Sequence, residues 1–198
     1  MHYMDYLGEN VLTEIAKAPN GVSTNVLSFT LQDFAAPSWN RLLLMHRMQR
    51  MKMRHLIHNI VAETLAGRTV SELCKAEYDA INRPSKKKKD ALKGFREAER
   101  PEHRRLERML QNGLERPTIT ERPPWLNGYF AVSFMHYRKR LTDVDNLSVK
   151  AVLDGMVVSG LIKDDSPKHV HEVQQLQTKA GEDVLQVFLS EVIELKDE

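Results

Sequence analysis

Apolar positions recur at two different periods along the chain. Residues 26–31 place Val26, Leu27, Phe29 and Leu31 in a short run that predicts a strand. From Trp39 to Ala66 the period is helical. Met53, Leu56, Ile57, Ile60 and Val61 share one face, and Arg47, Arg50, Arg54 and His58 share another. Ser38, following Pro37, is the expected N-cap, and Gly67 the expected stop. Residues 69–116 keep a weaker helical period, interrupted at Pro84 and Pro101, and predict two or three helices set apart from the core. Pro117, Pro123 and Pro124 then predict an extended connector.

Strict alternation returns at residues 128–137, where Phe130, Val132 and Phe134 face one way and Tyr129, Ala131 and Met135 the other. Both faces are largely apolar, which predicts a central strand. A helix capped by Thr142 or Asp143 is expected to run to about Val158, with Val144, Leu147, Ala151 and Val158 on its buried stripe and Gly160 beyond its end. Residues 168–178 and 184–195 read as two strands joined in a hairpin through residues 179–183, with Gly181 in the turn. A crossover and a hairpin in one order predict an α/β or α+β fold, a small mixed sheet with helices packed against it.

Composition narrows the function classes. A chain of 198 residues with 41% hydrophobic and 28% charged content is globular in kind. No run of apolar residues is long enough for a membrane span. Residues 1–10 carry Asp5 and Glu9 with no basic cluster before an apolar run, so a secretory signal is not expected. The single cysteine, Cys74, excludes an internal disulfide and a multi-cysteine zinc site, and a cytoplasmic setting is the expectation.

Net charge is only +2, yet it is unevenly spread. Residues 41–60 contain Arg41, Arg47, Arg50, Lys52 and Arg54 and no acid, and residues 86–108 carry ten basic against five acidic side chains. Both ends of the chain are acidic. Such local fields attract a polyanion even on a nearly neutral chain.

The chemically informative segment is Asp143-Val144-Asp145-Asn146, followed by Lys150, Asp154-Gly155 and Lys163-Asp164-Asp165. Its acids fall at two junctions between predicted elements, which can share one edge of a sheet. Gathered carboxylates repel one another and call for a cation. A hard ion such as Mg²⁺ suits oxygen donors and leaves room for water and phosphate oxygens. Lys150 lies four residues from both Asn146 and Asp154, on one predicted helix face, where an ammonium could meet a phosphate. An EF-hand is excluded, because Leu147 and Ser148 stand where an oxygen ligand and a glycine are needed. An aspartyl-phosphate phosphatase is disfavoured, because residues 138–142 separate the strand from Asp143.

Together, Asp-x-Asp-Asn opening a helix, a later Asp-Gly, and Asp-Asp before a strand resemble the RusA-type Holliday junction resolvases. The strand at residues 26–31 followed by Pro37-Ser38-Trp39-Asn40 is similar to the opening of that family. The resemblance covers residues 25–66 and 128–198 as a nuclease core. It leaves residues 1–24 as an extension and residues 67–127 as a basic helical insertion that the compact family lacks.

It implies a homodimeric endonuclease that binds branched DNA and nicks four-way junctions with Mg²⁺, or Mn²⁺ in its place. Asp143, Asp145 and Asp165, with Asp164 as a further candidate, would hold the metal, and Lys150 would join them in catalysis. Arg47, Arg50, Arg54, Arg138, Lys139 and Arg140 would bind DNA. In this chain Lys150 follows Asp145 by five residues, where the family has four. Two other classes remain open: a junction-binding protein of the same fold without cleavage, and a metal-dependent hydrolase of small phosphate esters. Trp39 and Trp125 are expected to anchor the core or the connector.

Overall fold

The computed structural model describes residues 11–17, 23–98, 101, 104–105, 108, 119, 122–143 and 146–193. Its strands are β1 (Val11–Lys17), β2 (Ser23–Leu31), β3 (Phe130–Arg138), β4 (Val170–Lys179) and β5 (Val184–Glu191). Its helices are α1 (Trp39–Leu43), α2 (Arg47–Leu65), α3 (Glu72–Asn82), α4 (Lys86–Ala98) and α5 (Lys150–Val158). The fold is mixed α+β, as expected. One sheet has the order β1-β2-β5-β3-β4, antiparallel throughout except for the parallel pair β3–β4.

Alternation decides which face of the sheet is covered. Leu27 and Phe29 of β2 stand opposite Leu189 and Val187 of β5, which in turn oppose Val132 and Phe134 of β3. All are buried, and they meet the predicted α2 stripe of Met53, Leu56, Ile57, Ile60 and Val61 together with Val152 and Met156 of α5. Each such side chain contributes about 1.5–3 kcal/mol through burial. Among the described residues no helix is long and apolar enough to cross a membrane.

Several expectations need correction. Residues 168–178 and 184–195 do not pair as a hairpin: β3 lies between β4 and β5. The reason is polarity. Apolar β5 takes an interior place, whereas Glu172, Gln174, Gln175 and Gln177 suit β4 to a sheet edge. The long helix from Trp39 is broken at residues 44–46, where buried Met45 anchors the chain and the His46 ring caps α2 by accepting from Met48 N at 3.3 Å.

The helix expected from Thr142 or Asp143 begins only at Lys150, and its buried face is Val152, Leu153 and Met156, with Val158 of the expected stripe exposed. Its preceding residues spend their backbone groups elsewhere, with a β-bridge between Ser38 and Leu147 and a bond from Ser148 N to Pro37 O at 2.9 Å. Lastly, β1 adds an edge strand from within residues 1–24, which the apolar pattern does not predict.

Contrary to the expectation of helices set apart from the core, helix α3 packs into it, because Leu73, Cys74 and Tyr78 fall on one face. Leu73, Cys74 and Tyr78 are buried, the Tyr78 ring stacks on Phe34 with centroids 5.1 Å apart, and its hydroxyl donates to Ala35 O at 2.6 Å. Helix α4 is fastened to α3 through Glu77, which is 1% exposed. Glu77 receives Arg96 Nε at 2.6 Å and Lys52 Nζ of α2 at 2.8 Å.

His136 on β3 is 1% exposed. Burial, reinforced by the Arg138 charge and opposed by a hydrogen bond with Gln175, holds its pKa down at about 4. The native imidazole is therefore neutral at pH values where the unfolded chain takes up a proton. Stability contributed above about pH 6.5 is lost as pH falls toward about 4. Urea unfolding at about pH 7 and about pH 5 should show the parent losing about 2 kcal/mol more than His136→Gln between those conditions.

Candidate functional site

The site is built where α5 begins. After β3 ends, the chain is clamped by Gln177 of the edge strand, which accepts from Thr142 N at 3.2 Å and returns its amide to Thr142 O. Three residues beyond Asp143, the Asn146 side chain accepts from Asn40 N at 3.2 Å, while Asn146 N donates to Asp143 O at 3.0 Å. The segment Pro37-Ser38-Trp39-Asn40 thus lies directly against Asn146-Leu147-Ser148, more than a hundred residues away in the chain. Ser38 also caps α1, its hydroxyl accepting from Arg41 N at 3.1 Å.

From the first turn of α5, the Lys150 ammonium donates to Asp154 Oδ1 at 2.8 Å and to Asp165 Oδ2. The second Asp154 oxygen meets Arg54 of α2 at 2.8 Å. A cation, two carboxylates and a second cation therefore form one chain across α2, α5 and the turn before β4. Gly155 allows this approach, since a Cβ there would lie 3.1 Å from the Val61 side chain. Burial tends to lower the Lys150 pKa, but the bonds to Asp154 and Asp165 outweigh it and raise the pKa above the ordinary lysine value. Lys150 is thus a full cation at neutral pH.

The two adjacent acids have separate tasks. Asp164 is exposed and accepts from Ser166 N at 3.2 Å, and hydrogen bonding from Ser166 holds its carboxyl below the usual range. Asp164 shapes the turn, while Asp165 faces Lys150. Asp143 is exposed and is not brought into contact with the Lys150 chain. Asp145 lies outside the described residues. Among the described residues, no group of three or more His, Cys, Asp or Glu side chains stands close enough to hold a metal ion.

The carboxylates that do converge are Asp154 and Asp165, and both are engaged by the Lys150 ammonium. Sequence alone makes Asp154 an ordinary polar helix residue, yet it positions both Lys150 and Arg54. Its one signal is the four-residue spacing from Lys150 beside a glycine. No protein-family model and no curated protein matches the chain.

The expected cationic residues divide. Arg47, Arg50 and Arg54 are exposed along α2, but His58 is buried and leaves that stripe. Lys139 and Arg140 are exposed in the loop after β3. Arg138 instead is half-buried, with its Nε and Nη1 buried and unpaired. Burial and the nearby Arg83 charge lower its pKa. Arg83 itself pairs with Asp183 at 2.8 Å. Trp39 is 47% exposed, so it is not the core anchor expected, whereas Trp125 packs partly against the core.

Proposed function

We propose that the protein is a Mg²⁺-dependent endonuclease of branched DNA, acting on four-way junctions as a homodimer in the cytoplasm and belonging with the RusA-type resolvases. The observation carrying this reading is the contact between Asn40 and Asn146. It brings the two resolvase-like motifs together beside the Lys150–Asp165 pair. In this reading Asp143, Asp145 and Asp165 would hold the ion, gathering on its arrival, since no such cluster stands ready among the described residues. Mg²⁺, or Mn²⁺ in its place, would supply an activated water and charge stabilisation at phosphorus when bound. Lys150, oriented by Asp154, meets a non-bridging phosphate oxygen. Arg47, Arg50, Arg54, Lys139 and Arg140 hold the flanking phosphates, with Arg138 aligned from its half-buried position. A two-fold dimer presents two such sites to a two-fold junction.

Gel retardation in EDTA and cleavage in Mg²⁺ test the reading. The expected result is a retarded four-way junction that is nicked on addition of Mg²⁺, with an unbranched duplex left intact. Failure to bind or cut branched DNA contradicts it. Arg50→Ala should weaken binding to every DNA sequence and reduce the slope of log affinity against log salt by about 1. A second reading, junction binding without cleavage, is favoured by the engagement of Asp165 with Lys150. It predicts retardation with no nicking at any Mg²⁺ concentration.

A further inference from the structure

We infer that the cleft between α1, α2 and the start of α5 receives an unstacked nucleobase at the branch point, with Trp39 as its stacking platform. This inference rests on the branched-DNA reading above and names what would make that site prefer a branch to a duplex. Trp39 and Leu43 project from a helix of five residues and are 47% and 71% exposed. Both line one cleft, which Met53 also walls. Arg50, Arg54 and Lys150 stand around the same cleft, the last being the lysine that pairs with Asp165.

The cleft measures about 240 Å³. That is below the roughly 300–1,000 Å³ of typical small-molecule pockets, so it suits a single ring system better than a whole cofactor. An apolar cleft edged by Arg50, with Arg54 and Lys150 paired through Asp154 at its rim, matches a base whose phosphates remain outside. Bases in continuous duplex are paired and stacked, and removing one is costly, whereas a base already unpaired at a strand discontinuity enters with a smaller penalty. Stacking on an indole is sequence-tolerant, because every base offers a π-face. The cleft would therefore report strand geometry and leave sequence unread. Its nearness to Lys150 places the selected base next to the phosphate being cut.

The chain has two tryptophans, so Trp125→Phe leaves Trp39 as the only indole. In EDTA, titrating that protein with a four-way junction should quench its emission, while the duplex of the same sequence should have little effect. Trp39→Ala should weaken junction binding by about 10–100-fold with duplex binding unchanged, and Trp39→Phe should restore most of the loss. Leu43→Ser, at a more exposed position, should weaken junction binding in the same direction and guards against misfolding of the alanine variant. Junction binding with unaltered Trp39 emission, or an equal loss for junction and duplex, overturns the inference while leaving the nuclease reading standing. Conversion of a dimer to a monomer by Trp39→Ala in sedimentation also overturns it, because the indole would then be a subunit contact. A parent protein that binds no branched DNA overturns both.

Discussion

Asp165→Asn should lower Mg²⁺-dependent cleavage of a four-way junction by on the order of 100-fold or more while leaving junction binding in EDTA close to that of the parent. The substitution keeps the shape of the side chain but removes the charge that faces Lys150. It should have little effect on folding. The Lys150 and Asp165 side chains are both partly exposed, and such surface pairs contribute about 0–1 kcal/mol. Asp164→Asn is the internal control: its carboxylate caps a turn through Ser166, so cleavage should stay near the parent level. Asp145→Asn should behave as Asp165→Asn does. Single-turnover cleavage with a matched binding titration separates these outcomes. Equal activity of Asp165→Asn and parent would remove Asp165 from the chemistry.

The largest stability effect is expected at the α2–α3–α4 lock. Replacing Lys52 and Arg96 together by Met takes both cations from Glu77, a carboxylate 1% exposed. Removing two cations from a buried carboxylate leaves its desolvation less well offset, and breaking a buried ion pair costs about 3–5 kcal/mol. Urea unfolding should show a loss near the lower end of that range. Glu77→Gln should cost less, since the half-exposed ends of Lys52 and Arg96 can turn to water. A double variant within about 1 kcal/mol of the parent would mean that α4 is held by other contacts. Because α4 carries Lys86, Lys87 and Lys89 on its exposed surface, loosening it should also weaken DNA binding under the proposed function.

Side-chain period makes the sheet centre and the long helix legible in the sequence. Alternation through Phe130, Val132 and Phe134 marks an interior strand. The spacing of Met53, Leu56, Ile57, Ile60 and Val61 marks the buried face of α2. What period does not reveal is pairing. β4 and β5 are consecutive in the chain, and only their difference in polarity assigns one to the edge and the other to the interior.

The start of α5 is hidden for a related reason. Asn146, Leu147 and Ser148 have a helix-compatible pattern, but a partner segment at Pro37 and Asn40 takes their hydrogen bonds, and that partner is remote in sequence. In the site, Lys150 and Asp165 are legible as residue types. Asp154 is not, because its role depends on Arg54 arriving from another helix. Size alone assigns Trp39 to the core, and only its place at the mouth of a cleft distinguishes it.

If the carboxylates around Lys150 gather a divalent cation, paramagnetic Mn²⁺ added to isotopically labelled protein without DNA should reveal it. The resonances of Asp143, Asp145, Asp165 and the Lys150 ammonium should broaden first and together, and Asp165→Asn should remove the effect. Broadening confined to other acids, such as the C-terminal cluster, or identical behaviour in Asp165→Asn, would contradict a metal site at this position.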